Sequence, residues 1–341
     1  MNSGRSKDGV VRRFAAIVVA AAFVVSLAAC SDLPAQVQNC VPASTPGSAS
    51  NAVTAAGAFG ANPEASVPTP TKTTRVETTV LKTGKGLRLG PNDIAVGQVT
   101  IYTGADGKVG ASTGTNGKYS ASTAIELAVG DKSNPLGHYV SCQTVGTRSV
   151  TVMTAAQYFG STAKATSQGA DPTETLVVVT DVQRGYRGRA TGTLQPLQAG
   201  FPSIVTSGDG TPGVTLDLQS PPKTLSWEVV RRGSGAKVHA GDNVLLQVEG
   251  VEWTTPAPTT TFDSTWTTHA PRLYPLKSLA ATADGSYSLD PGSVKALTGQ
   301  TIGSQVLVVV PPKFGYPSGK APSGYPTGST LIFVYDILGV L

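Results

Sequence analysis

Residues suited to covalent, phosphate or metal chemistry are scarce in this chain, and their settings are wrong for it. Gly110-Ala111-Ser112-Thr113-Gly114 has the G-x-S-x-G pattern. That pattern activates a serine only on a sharp strand-to-helix turn, and here it lies in a polar run of Gly, Thr and Asn. Gly84-Lys85-Gly86 and Gly233-Ser234-Gly235 are too short to cradle a phosphate and precede strand-like sequence. The 3 histidines, His138, His239 and His269, have no metal-ligand spacing, so neither a metal nor a cofactor is expected. What remains open is sulfur chemistry at the 3 cysteines and non-covalent chemistry on an apolar surface.

The first cysteine belongs to a targeting signal. Arg5, Lys7, Arg12 and Arg13 precede an uncharged apolar stretch, Phe14 to Leu27, then Ala28-Ala29-Cys30. A basic region, a short apolar region and small residues describe a secretory signal, and the stretch is too short for a stable membrane span. Leu27-Ala28-Ala29-Cys30 resembles a bacterial lipobox. It implies a signal peptide over 1–29, cleavage ahead of Cys30 and lipid on its thiol. The protein is then expected on the extracytoplasmic face of the cell membrane. Arg12-Arg13 has poor flanks for twin-arginine export. Outside the cytoplasm Cys40 and Cys142 are expected to pair rather than stay as buried thiols. Most of the formal charge of +5 leaves with the signal, and aromatics are 6% of the chain. Neither favours a nucleic-acid partner.

Beyond the signal the chain repeats itself. Residues 30–72, rich in Ala, Ser, Thr, Pro and Gly, read as a tether, although Asn51–Gly57 and Glu64–Pro68 have edge-strand character. Thr79–Gly86 is echoed by Val229–Gly235, Val96-Gly97 by Ala240-Gly241, Val145–Arg148 by Ile302–Gln305, and Leu176–Val182 by Leu331–Ile337. Such self-similarity means a duplicated domain: 73–191 and 223–341, joined by a Gly/Pro/Ser-rich connection over 192–222. Each is expected to be α+β, a curved antiparallel sheet on one short helix. Asn134-Pro135 and Asp290-Pro291 supply a cap and a first helical residue in each, and Gly299 ends the second helix.

After that helix come the strand Val306 to Val310, the loop residues Phe314-Gly315-Tyr316, and a last strand from Thr330 to Leu338. With Gly241-Asp242, Val244 to Gly250 and Phe262-Asp263-Ser264 upstream, this order resembles the FK506-binding-protein (FKBP) type of peptidyl-prolyl isomerase over roughly residues 230–341. The resemblance implies tandem FKBP-like domains and proline-containing polypeptide clients, with an anchored monomer that assists the folding of secreted proteins. It places Phe262 and Asp263 at the pocket wall and its polar edge. Tyr316 takes the place of the hydroxyl donor to the peptide carbonyl, and Phe333 lies under the proline ring. Tyr325 would stand on the rim.

Some positions depart from the family. Val248 stands where a tyrosine is usual and Ser293 where the helix usually supplies a large apolar floor, while Trp266, Leu273 and Tyr274 compete for the second wall. The first copy keeps Tyr102-Thr103-Gly104, with Phe159 at the loop position. It lacks a Phe-Asp pair between Gly110 and Tyr119 and has Val178 for the last-strand aromatic, so it reads as non-catalytic. The alternative for the whole chain is a non-catalytic tandem module that binds peptides as a chaperone. The targeting signal is checked directly: Cys30→Ser should abolish labelling by a fatty-acid probe and shift the protein from the membrane to the soluble fraction.

Overall fold

The computed structural model describes residues 39–114, 124–216, 220–254, 260–268, 270–277, 288–317 and 321–341. The signal segment, Cys30 and His269 lie outside the described residues. In chain order, the first half has helix α1 (Ser48–Asn51) and strands β1 (Thr54–Ala56), β2 (Glu64–Ser66), β3 (Glu77–Lys82), β4 (Ile94–Thr103), β5 (Val109–Ser112) and β6 (Ile125–Ala128). Helix α2 (Pro135–Tyr139), β7 (Arg148–Thr154), α3 (Ala155–Phe159), α4 (Thr162–Ser167) and β8 (Thr175–Tyr186) complete it. The second half has β9 (Thr193–Leu194), β10 (Ser203–Thr206), β11 (Pro212–Thr215), β12 (Ser226–Arg232), β13 (Asn243–Glu252), β14 (Thr260–Ser264) and β15 (Arg272–Pro275). Helix α5 (Pro291–Leu297), β16 (Gln305–Val310), a 3-10 turn (Pro312–Phe314) and β17 (Leu331–Val340) close the chain.

Both halves carry one topology. The first sheet has the order β3-β7-β8-β4-β5, with β6 also on β4, and the second runs β12-β16-β17-β13-β14, with β15 also on β13 and β9 beyond β12. Even the bulges correspond: Val80/Lys82 with Val229/Arg231, Val96/Gly97 with Leu245/Leu246, and Ile101/Tyr102 with Gly250/Val251. Because a bulge bends a strand and increases its twist, shared bulges give both sheets the same curvature. They also correct one sequence match, since Val96 corresponds to Leu245 rather than Ala240.

The paired Gly motifs serve this geometry. A Cβ on Gly84 would lie 2.1 Å from the Val145 carbonyl oxygen, and one on Gly233 would lie 2.2 Å from that of Ile302. Two backbones cross there, which explains the glycines without any phosphate.

Each sheet buries its outer face under a hairpin that the sequence reading leaves in a tether or a connection. β1 pairs with β2, and Val53, Ala55, Ala65 and Val67 pack against Tyr102, Val150, Val152, Val177 and Val179. β10 pairs with β11, and Ile204, Val214 and Phe201 pack against the corresponding Val251, Leu307, Val309, Ile332 and Val334. The repeat therefore extends into residues read as linker. Among the described residues the two sheets also touch one another. Ile94, Leu245 and Leu338 share a cluster with Tyr186 and Leu341, and the Tyr186 hydroxyl donates to the Val340 carbonyl at 3.1 Å.

Cys40 and Cys142 are joined as a disulfide that ties the segment ahead of α1 to the end of α2. A buried ion pair anchors the first hairpin. Arg148 meets Asp181 at 2.6 and 2.7 Å and donates to the carbonyls of Ala56, Gly57, Ala58 and Ala61, while the Gly60 N–H donates to Asp181. Removing one partner of such a pair strands a buried charge. Arg148→Ala should thus cost about 3–5 kcal/mol in chemical denaturation and expose residues 54–66 to proteolysis before the rest of the body.

Candidate functional site

The second half's concave face is built from alternate residues of β17, its central strand, which is buried on both sides from Leu331 to Gly339. Period-2 alternation sends Phe333, Tyr335 and Ile337 inward, where they join Val248, Tyr274, Leu297 and Val308. Helix α5 closes this face. Asp290 caps it, accepting the Ser293 N–H at 2.9 Å, Pro291 opens it, and Gly299 beyond it adopts φ +86°.

Phe262 and Asp263 enter from β14, Tyr316 from the segment after the 3-10 turn, and Tyr325 from the loop before β17. Phe262 lies edge-on to Phe333, with ring centroids 5.6 Å apart, and edge-on to Tyr325 at 4.8 Å. Tyr325 in turn meets Tyr316 edge-on at 5.5 Å. Phe262, Asp263, Tyr316 and Phe333 thus belong to one group, and Tyr325 is the half-buried ring that links Tyr316 to Phe262. Such edge-to-face pairs place a positive ring edge against a negative face. Glycine is needed at position 250, where a Cβ would lie 2.9 Å from the Phe262 ring.

The polar groups are all engaged. Asp263 is buried, receives both bonds from Arg272 Nη1 at 2.8 Å, and accepts the Tyr325 hydroxyl. The Tyr316 hydroxyl donates to the Ser288 carbonyl at 2.9 Å. Burial first, and then the Asp290 charge, pushes the Tyr316 phenol up; burial, followed by Tyr274 and Asp263, does the same for Tyr325. Both stay protonated donors at any physiological pH.

Ser293 does not leave a hole. Tyr335 stacks on Phe333 at 5.4 Å and 21° and donates its hydroxyl to Ser293 Oγ at 2.9 Å, which donates to Asp290 at 2.6 Å. The large floor residue comes from the sheet instead of the helix. Tyr335 and Arg272 escape the sequence reading, although Phe333-x-Tyr335 on a strand already signals two aromatics on one face. Of the candidates for the second wall, Tyr274 is 2% exposed and packs in the cluster of Phe333, whereas Leu273 is 40% exposed. Trp266 turns away, toward the β10–β11 turn at Gly210. Val248 is buried and lies opposite Tyr335 in register.

The first half has no equivalent group among its described residues. Gln98 opposes Asp181 as Gln247 opposes Asp336, so Tyr102 corresponds to Val251, not Val248. Its side chain faces the outer hairpin and donates to the Pro63 carbonyl at 2.6 Å. Phe159 ends helix α3, edge-on to Tyr158, and α3 and α4 occupy the stretch where the second half has its aromatic loop. Ser112 sits on β5, not on an elbow, and shares a hydrogen bond with Thr100. Among the described residues there is no cluster of His, Cys, Asp and Glu fit for a metal, and no helix is long and apolar enough to cross a membrane.

Residues 235–338 match the family described as FKBP-type peptidyl-prolyl cis-trans isomerase, so the C-terminal part of the chain carries an FKBP-type domain. No curated protein matches the chain. Among solved structures it is similar to FkpA from Escherichia coli, at 25% identity and TM-score 0.28, over 42% of this chain and 52% of that one. The chain thus spans about half of FkpA's length. It is also similar to the 3 FKBP domains of wheat FKBP73, at 15% identity and TM-score 0.30, over 78% of this chain and 94% of that one. AtFKBP13 matches at 15% identity and TM-score 0.27, over 41% of this chain and 99% of that one.

The Asp290 cap has a pH signature. Burial, chiefly, pushes its carboxyl up to about 6 from the ordinary 3.8. Between those values the folded protein holds a proton that the unfolded chain has released. The contribution of Asp290 to stability is therefore full below about 4 and is lost as pH rises through about 6. Asp290→Asn keeps a capping oxygen. Its stability relative to the parent should increase by on the order of 1–2 kcal/mol between pH 4.5 and pH 7 in urea titrations.

Proposed function

We propose that the second half is a peptidyl-prolyl cis-trans isomerase that helps secreted polypeptides fold, held at the outer face of the membrane by lipid on Cys30. The observation that carries this reading is the single group made by Phe262, Tyr316, Tyr325, Phe333 and Tyr335 around buried Asp263.

Rotation about an X-Pro bond is slow because amide resonance must be broken, a barrier of about 18–20 kcal/mol. No nucleophile or proton transfer is required. The twisted amide has lost its charge separation and needs water less than the planar one does. A dry aromatic face therefore favours it, provided the face excludes water as the prolyl ring enters. Phe333, backed by Tyr335, supplies the base of such a face, and Phe262 and Tyr274 its sides. A hydrogen bond that forms only to the rotated peptide carbonyl lowers the barrier without tightening the ground state. Tyr316 has the hydroxyl for that bond once it leaves the Ser288 carbonyl. Arg272 holds Asp263 in place, so the carboxylate marks the polar edge of the pocket rather than acting as a base.

A second reading is favoured by one feature. The hydroxyls of Tyr316 and Tyr325 and the carboxylate of Asp263 all have internal partners. A surface so satisfied suits a chaperone module that holds client segments without turning them over.

The two readings separate in one assay on the full-length lipoprotein in detergent. An isomerase speeds the cis/trans exchange of an Ala-Leu-Pro-Phe peptide, and Phe333→Ala reduces kcat/KM by at least tenfold. Tyr316→Phe should lower kcat more than it raises KM. Exchange at the uncatalysed rate, combined with suppressed aggregation of an unfolded client, would select the chaperone reading.

A further inference from the structure

We infer that Tyr325 is a built-in competitor for the proline site, holding the space between Phe262 and Tyr316 that a client side chain needs. The inference rests on the proposed proline site and adds to it the residue that controls entry.

Three contacts define the competitor. Its ring is edge-on to Phe262 at 4.8 Å and to Tyr316 at 5.5 Å, so it touches two walls that would otherwise flank a prolyl ring. Its hydroxyl donates to Asp263, whose remaining partner there is Arg272. A hydrogen bond to an ionised acceptor buried beside its counter-ion is of the strong, charge-assisted kind. Ring and hydroxyl therefore dock together, one in the apolar gap and the other on the polar edge, as an incoming peptide would.

Tyr325 is also placed to leave. Its backbone N–H bonds to the Pro322 carbonyl within the same loop, so withdrawal need not break the sheet ladder. Gly324 on one side and Gly328 on the other adopt φ of +87° and +80°, and neither position has a heavy atom within 4 Å of where a Cβ would be. The segment thus has backbone freedom and open space. Phe333, Tyr335, Tyr274 and Val248, by contrast, are fixed in strands and buried.

Competition has an arithmetic consequence. If only a fraction of molecules has Tyr325 withdrawn, the apparent affinity for a client is reduced by that fraction. Removing the ring restores it. A wall residue would do the opposite, because losing it would widen the pocket and weaken binding.

The test uses the full-length lipoprotein with Tyr325→Ala, which removes ring and hydroxyl, and Tyr325→Phe, which removes the hydroxyl alone. The probe is the Ala-Leu-Pro-Phe peptide, read both by exchange rate and by direct binding in NMR titration. Tyr325→Ala should bind the peptide about tenfold more tightly than the parent, with Tyr325→Phe in between. Circular dichroism and the urea midpoint check folding, and Tyr325→Phe carries the test if the alanine variant is unfolded. Weaker or unchanged binding in the folded variants overturns the competitor. Tighter binding without any acceleration of exchange keeps the competitor and removes the isomerase. Acceleration by the parent that falls in both variants, together with weaker binding, keeps the isomerase and makes Tyr325 a wall.

Discussion

The architecture depends on a central strand that must be covered on both faces. β17 is buried from Leu331 to Gly339, and each of its large apolar side chains left facing water would cost on the order of 1.5–3 kcal/mol. Phe333, Tyr335 and Ile337 need a helix and loops above them, while Ile332 and Val334 need a second layer below. The hairpin β10–β11 is that lower layer, and β1–β2 does the same beneath β8. Everything at the site follows from what the upper layer contains.

The upper layer also shows how one aromatic face is assembled from different elements. Ser293 on α5 is too small to form a floor, and Tyr335, directed inward from the sheet, reaches it with both ring and hydroxyl. The floor remains aromatic although its source has changed. The chain of bonds from Tyr335 through Ser293 to Asp290 ties that floor to the helix cap. In the first half, small and β-branched residues replace the aromatics and two helices take the place of the loop. That half keeps the topology and the bulges without the aromatic group.

Much of this was legible in the sequence, for identifiable reasons. The duplicated strands showed through because strands buried on both faces keep near-continuous Val/Ile runs, as in Leu176–Val182 and Leu331–Ile337. The helix showed through its local cap, Asp290-Pro291. The two hairpins did not, because Ala-, Ser- and Gly-rich strands such as Thr54–Ala56 look like linker until a neighbouring face is known. The Tyr102-Thr103-Gly104 motif misled for a related reason: which face a residue occupies depends on bulge positions, which are a tertiary property. The place of Tyr325 between two walls was equally hidden, since a loop's reach cannot be read from spacing.

A proline-containing chain that docks on the concave face of the second half must perturb the rings there and leave those of the first half untouched. The most direct measurement labels the aromatic rings of the full-length protein with carbon-13 and titrates in the Ala-Leu-Pro-Phe peptide. Saturable shifts are expected for Phe262, Tyr316, Tyr325, Phe333 and Tyr335, with Tyr102, Tyr158 and Phe159 unmoved. Shifts confined to those last three, or to none of the rings, would contradict that docking.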